Sequence, residues 1–218
     1  MLSGQVGPAV RVDVLGQLQA WHGDERLSLG PVQQRVVLAV LALHANRPVG
    51  REQLIESIWG SAAPAYAVNL LQKRVSVLRR VLDPVREART PSQVLSWTDA
   101  GYLLTLPPDG LDLEVFNREV GRARAARAAG NAKEAAQALH AALRLWRGPA
   151  FDGLASPLLD AERDRLAERR ISALEERIEL DLALGDDRDL VAELRQLVAD
   201  HPLRERLRGL LMLVLYRS

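Results

Sequence analysis

Between Tyr66 and Leu82 the chain carries four basic residues, Lys73, Arg74, Arg79 and Arg80, and no acidic one. At about 100° of helical rotation per residue, Val68, Leu71, Val75, Leu78 and Leu82 fall within roughly 80° of one another and form one apolar stripe. The opposite face carries Asn69, Lys73, Ser76, Val77 and Arg80, flanked by Gln72, Arg74 and Arg79. Arg and Lys reach guanine edges or phosphates, Asn and Gln pair with adenine, Ser accepts either, and a valine can touch a thymine methyl. A plain surface helix mixes signs so that i,i+4 ion pairs form. This one has no acid to pair with, so the face is predicted to enter the major groove of duplex DNA.

A helix of this kind needs a frame. Upstream, Val10, Val12 and Val14 alternate with Arg11 and Asp13, the period of a half-buried strand. Strands around 18–21 and 26–29 flank the turn-like His22-Gly23-Asp24-Glu25. The period then changes. Pro31 opens a helix whose centre, Val36 to Leu43, is apolar all round, and Asn46 and Pro48 end it. A short helix over 51–59 turns Leu54, Ile55, Ile58 and Trp59 inward. After the basic helix, Val94–Thr98, Asp99-Ala100-Gly101 and Tyr102–Leu106 predict a hairpin. Three strands, three helices and a terminal hairpin make a winged helix-turn-helix, with the basic helix in the reading position. Tyr102, at the base of the wing, is a candidate sugar or phosphate contact, the alternative being a ring that packs the hairpin base.

The chain divides near Leu106-Pro107-Pro108-Asp109-Gly110. Residues 1–107 hold eleven Lys+Arg against eight Asp+Glu, whereas residues 108–218 hold eighteen against twenty, so the net positive charge sits with the winged helix. The second part reads as all helix: 112–129 stopped by Gly130, a capping-box-like Asn131 and Glu134 opening a helix to Trp146, a break at Gly148-Pro149, and a long helix from Ser156-Pro157 to Leu184. Two more helices follow at about 187–199 and 202–218. The stretches 129–143 and 184–198 share the order Gly stop, polar opening, apolar-periodic helix, as in tetratricopeptide-type hairpins. The expected fold is an α+β N-terminal winged helix-turn-helix followed by an all-α tetratricopeptide-like repeat domain. The last helix has no stop signal, so a C-terminal truncation is expected. The acidic series Glu162, Asp164, Glu168, Glu175 and Glu176, interleaved with arginines, predicts a salt-laced solvent face. Trp146 and Phe151 are expected to anchor the loop around Gly148-Pro149.

Other chemistries find no support. With no cysteine there is no disulfide, thiolate zinc site or cysteine nucleophile. His22, His44, His140 and His201 lack metal-ligand spacing, and no phosphate loop, serine elbow or zinc-protease motif occurs. No enzymatic activity, cofactor or metal is expected. The longest apolar run, Val36–Leu43, is far short of a bilayer span. No basic patch followed by an apolar stretch marks a secretory signal. A cytoplasmic protein without a membrane partner is the expectation.

The strings RPVGREQLIESIWG (47–60), NLLQ…VS.LRRVL (69–82) and GYLLTL (101–106) resemble the OmpR-type DNA-binding domain of the Streptomyces antibiotic regulatory protein family. LWRGPAFDGL (145–154), the arginine- and glutamate-rich stretch 161–185 and HPLRERLRGLLMLVLYRS (201–218) resemble the bacterial transcriptional activation domain of those regulators. The resemblance implies a transcription activator of a secondary-metabolite gene cluster that binds promoter direct repeats beside a second copy and recruits RNA polymerase holoenzyme. It implies phosphate contacts from the start of the first helix, where Gln34 and Arg35 are the candidates here. Where members carry Ser-Arg-Leu-Arg in the third helix, this chain has Ser76-Val77-Leu78-Arg79. The rival reading is a protein-interaction scaffold whose winged helix binds protein instead of DNA.

Overall fold

The computed structural model describes residues 10–84, 92–185 and 189–217. Two compact units emerge, one formed by residues 1–115 with 146–166, the other by 116–145 with 167–218.

The first unit opens with an antiparallel meander of β1 (Val10–Asp13), β2 (Gln19–His22) and β3 (Glu25–Arg26). Val12 pairs with Ala20, and Val10, Val12 and Val14 are buried as the alternation requires. The third strand is two residues long, shorter than its sequence suggests. Helix α1 (Val32–Leu43) is buried continuously from Val36 to Ala42. Helix α2 (Arg51–Trp59) buries Leu54 and Ile58, with Ile55 and Trp59 half-buried. Helix α3 (Ala67–Leu82) buries Ala67, Leu71, Val75, Leu78 and Leu82. Strands β4 (Leu95–Thr98) and β5 (Gly101–Leu104) form the wing, paired Trp97 to Tyr102.

The wing is held to the helices through a paired backbone bridge. The Val49 amide donates to the Tyr102 carbonyl at 2.8 Å, and the Tyr102 amide returns the bond at 2.9 Å. Gly101, at φ +127, permits this approach, because a Cβ there would lie 2.1 Å from the Val49 carbonyl oxygen. Asn46, left-handed at φ 61, ends the α1 segment and accepts from the Leu106 amide through Oδ1 at 3.0 Å.

The motif segment 146–154 belongs to this same unit. Its amides continue the sheet edge: Arg147 donates to the Leu15 carbonyl at 2.8 Å, Phe151 to Val14 at 2.9 Å and Asp152 to Gly16 at 3.1 Å. Phe151 is fully buried and Trp146 nearly so, as expected of anchors. Arg147 bridges two acids, Asp13 and, at 3.1 Å, Asp112. The Asp112 carboxylate also accepts from the Val14 amide at 2.8 Å and the Leu15 amide at 3.0 Å.

The second unit is all helix, built from the greater part of α4 (Asp112–Ala128), α5 (Ala132–Leu143), the greater part of α6 (Pro157–Leu184), α7 (Leu190–Asp200) and α8 (Glu205–Arg217). Asn131 caps α5, its Oδ1 accepting from the Glu134 amide at 3.3 Å and its amide donating to the Glu134 carboxylate at 2.9 Å. Helix α5 stops at Leu143, one turn before the predicted Trp146. Ile178 and Leu182 of α6, Leu190 and Leu194 of α7, and Leu207, Leu210 and Val214 of α8 share one core.

The salt-laced face of α6 is only partly a solvent face. Arg165 pairs with Glu162 at 2.6 Å on the surface. Glu175, however, is buried, with Arg206 at 3.5 Å. Arg177 is also buried, between Asp181 at 3.3 Å and Glu193 of α7. Charge interleaving at one-residue resolution does not reveal which side of the helix the neighbouring helices cover.

Candidate nucleic-acid interface

The α3 stripe of Leu71, Val75, Leu78 and Leu82 is consumed by the core, which fixes what the other side presents. Asn69, Gln72, Lys73, Ser76 and Arg80 are all exposed there, and Val77 is half-buried beside them. Lys73 and Arg80 are exposed, and neither pairs with an acid among the described residues. An unpaired cation on a rigid helix needs no rearrangement before meeting a phosphate or a guanine edge.

The remaining candidates have other work within the protein. Arg74 donates from Nη2 to Oε1 of Gln33 at 2.8 Å, which links α3 to the first turn of α1. Arg79 donates from Nε to the Leu95 carbonyl at 2.8 Å and so braces the wing against the helix. Among the described residues its terminal amines take no hydrogen bond.

Two expectations are corrected. Gln34 is buried at 2% exposure, and its side-chain amide donates to the Leu29 carbonyl at 3.0 Å. The left-handed Gly30 (φ +71) turns the chain ahead of α1 and leaves that carbonyl in need of a donor. A phosphate contact from this side chain would orphan it. Tyr102 is buried at 5% exposure, its ring edge-on to Trp97 with centroids 4.7 Å apart. Burial also pushes its phenol up, against the lowering fields of Arg79 and Arg51. Tyr102 is a packing residue of the wing. Arg35 is half-buried and lines a cleft of about 430 Å³ together with Gln17, Gln19, Arg26 and Ser28, and its Nε is buried without a hydrogen-bond partner.

Sequence reasoning passed over Trp97. Period two places it on the same side of β4 as the buried Leu95, yet it is 54% exposed. At Trp97 the inner face of the strand lies across from the flank of α3. A cavity of about 250 Å³ separates the two elements, lined by Gln72, Val75, Arg79, Trp97 and Tyr102.

A meander, three helices and a wing, with a cation-bearing third helix and an all-helical second part, constitute the architecture of a two-domain transcriptional regulator. The model for the C-terminal domain of transcriptional regulatory proteins matches residues 24–104, and that for the bacterial transcriptional activator domain matches residues 111–218. The regulatory protein AfsR of Streptomyces coelicolor is 40% identical over 211 residues, which is 96% of this chain and 20% of AfsR. The regulatory protein DnrI of Streptomyces peucetius is 33% identical over 213 residues, 96% of this chain and 78% of DnrI. The solved structure of Mycobacterium tuberculosis EmbR, in complex with a low affinity phosphopeptide, superposes with a TM-score of 0.87 at 33% identity, covering 95% of this chain and 55% of that one. The chain belongs to the Streptomyces antibiotic regulatory protein family of transcriptional regulators. It spans about a fifth of the length of AfsR from S. coelicolor and from S. griseus. No helix among the described residues is long and apolar enough to cross a membrane.

Proposed function

We propose that this protein is a sequence-specific DNA-binding transcription activator acting in the cytoplasm. Its N-terminal winged-helix domain, residues 1–107, inserts α3 into the major groove of promoter direct repeats. Two copies lie side by side, their half-sites about one helical turn apart, roughly 10 bp, so that both α3 helices meet one side of the duplex. The helical domain, residues 108–218, orders that assembly and contacts RNA polymerase holoenzyme. The regulated genes form a secondary-metabolite biosynthetic cluster.

The observation that carries this reading is the exposed, acid-free face of α3, where Asn69, Gln72, Lys73, Ser76 and Arg80 stand together. Affinity built on phosphate neutralisation falls steeply with salt. Each good base or phosphate contact on such a face contributes about 1–3 kcal/mol. Lys73→Ala combined with Arg80→Ala should therefore weaken binding to the cognate repeat by more than tenfold in a mobility-shift titration. The double variant should keep the wild-type circular dichroism, since neither side chain packs. Unchanged affinity would remove α3 as the reader and leave the scaffold reading in its place.

A further inference from the structure

We propose that the cavity between α3 and the wing is a seat for one deoxyribose–phosphate unit of the duplex backbone, with Trp97 as its wall. The inference rests on the DNA-binding reading above and names a contact within it.

The wing carries no cation. From Leu95 to Leu104 its only charged residue is Asp99, at the tip. A hairpin of that charge gains nothing electrostatically from being driven tip-first into a minor groove lined with phosphates. What the wing offers instead is the Trp97 indole, 54% exposed on the side that faces α3. The ring is not loose. Tyr102 holds it edge-to-face at 4.7 Å and an interplanar angle of 77°, so little conformational freedom is lost when a ligand packs on its other side. Exposed aromatics occur elsewhere on this chain, at Tyr66 and Tyr216, but this one is pre-set beside a basic helix, which matches a target with an apolar sugar and a charged phosphate.

The charge comes from the opposite wall. Arg79 spends Nε on the Leu95 carbonyl, which fixes the guanidinium plane at the cavity, and its terminal amines, without a hydrogen bond among the described residues, would donate to a phosphate oxygen. Gln72, on the same wall, adds an amide donor next to the helix face that reads bases. The cavity of about 250 Å³ is large enough for a single sugar–phosphate unit. The backbone would enter where the chain passes from the major groove under α3 to the groove under the wing. Trp97 then contributes register and affinity without reading sequence.

The test uses the duplex of about 30 bp that the wild-type protein selects from a random-sequence pool, about three helical turns being ample for two sites. Trp97→Ala should weaken its binding by about tenfold, the effect of losing on the order of 55 Å² of apolar surface buried against the sugar, while Trp97→Phe retains most of the affinity. The log–log salt dependence should keep its slope in Trp97→Ala and lose about one unit in Arg79→Ala. Trp97 is one of four tryptophans. Addition of the duplex should quench the wild-type emission, and Trp97→Phe should abolish that change, a readout that loss of wing stability alone does not produce. Wild-type affinity in Trp97→Ala, or an emission change that persists in Trp97→Phe, overturns the seat while leaving α3 as the reader. If the wild-type protein retains no duplex from the pool, the DNA-binding reading falls and the seat with it.

Discussion

Asp112 opens α4, yet its carboxylate is spent on the first sheet. It is 5% exposed and accepts from the Val14 amide, the Leu15 amide and Arg147 Nη2 at 2.8, 3.0 and 3.1 Å. Desolvation pushes the carboxyl up to about 6, against the two amide bonds that pull it down; the charge of Asp13 adds to the rise and that of Arg147 opposes it. Asp112→Asn keeps the volume but turns one acceptor into a donor facing the Leu15 amide or Arg147. A buried donor left unpaired costs about 1–3 kcal/mol, so the variant should be less stable than wild type at any pH. The size should depend on pH in a definite direction. Because the folded value lies above the unfolded one, near 3.8, the native state binds more protons than the unfolded state between about pH 4 and pH 6. Wild-type stability from this group is therefore present in acid and is lost as pH rises through that window. With these two values, about 2 kcal/mol of it is present at roughly pH 4.5 and almost none at roughly pH 7.5. Asp112→Asn has no such titration. Urea unfolding of both proteins at these two pH values should find the substitution costlier in acid by about 2 kcal/mol. An equal cost at both, or a larger one at neutral pH, would show that the bonds to the carboxylate outweigh its burial.

Gly101→Ala should undock the wing. Its Cβ would meet backbone at 2.1 and 2.5 Å on Val49, which no side-chain motion relieves, and the left-handed φ adds strain. A loss of at least about 3 kcal/mol in unfolding free energy is expected, together with loss of DNA affinity; a cost within about 0.5 kcal/mol would contradict the bridge between Val49 and Tyr102. In the helical domain, Asp181, 5% exposed, is held by Arg177 at 3.3 Å and by the His140 ring at 3.0 Å, so Arg177→Met leaves it with His140 alone. Unfolding should show a loss of about 1.5–3 kcal/mol, the size of one hydrogen bond to a charged group, recovered in large part by the double variant Arg177→Met with Asp181→Leu, since the desolvation cost of the acid then disappears.

Much of this molecule was legible in the order of its residues. The alternating valines of β1, the continuous apolar centre of α1 and the 100° stripe of α3 report burial directly, because each follows from the period of a single element. Asn131 with Glu134 marked the start of α5 for the same reason: a cap is local. What escaped depends on partners that no period of a single element connects. The role of Arg147 is set by Asp13 and Asp112, and no periodicity connects those three positions. Gln34 looked like a first-turn polar residue open to phosphate, but the turn at Gly30 leaves a carbonyl that only its amide reaches. Arg79 and Arg80 are neighbours of equal charge; only the position of β4 decides that the first braces the wing and the second faces solvent. Tyr102 and Trp97 face each other across the hairpin, and only the packing of the wing decides that the first is buried and the second exposed.

The central claim is that the exposed side of α3 lies in the major groove at two points on one side of the duplex. The chain has no cysteine, so Ser76→Cys creates a unique attachment point for an iron chelate on that face. Directed cleavage of promoter DNA by the tethered protein should give two clusters of cuts with a major-groove pattern, centred about one helical turn apart. Cuts confined to the minor groove, or no cleavage under conditions where the tethered protein is bound, would contradict the account.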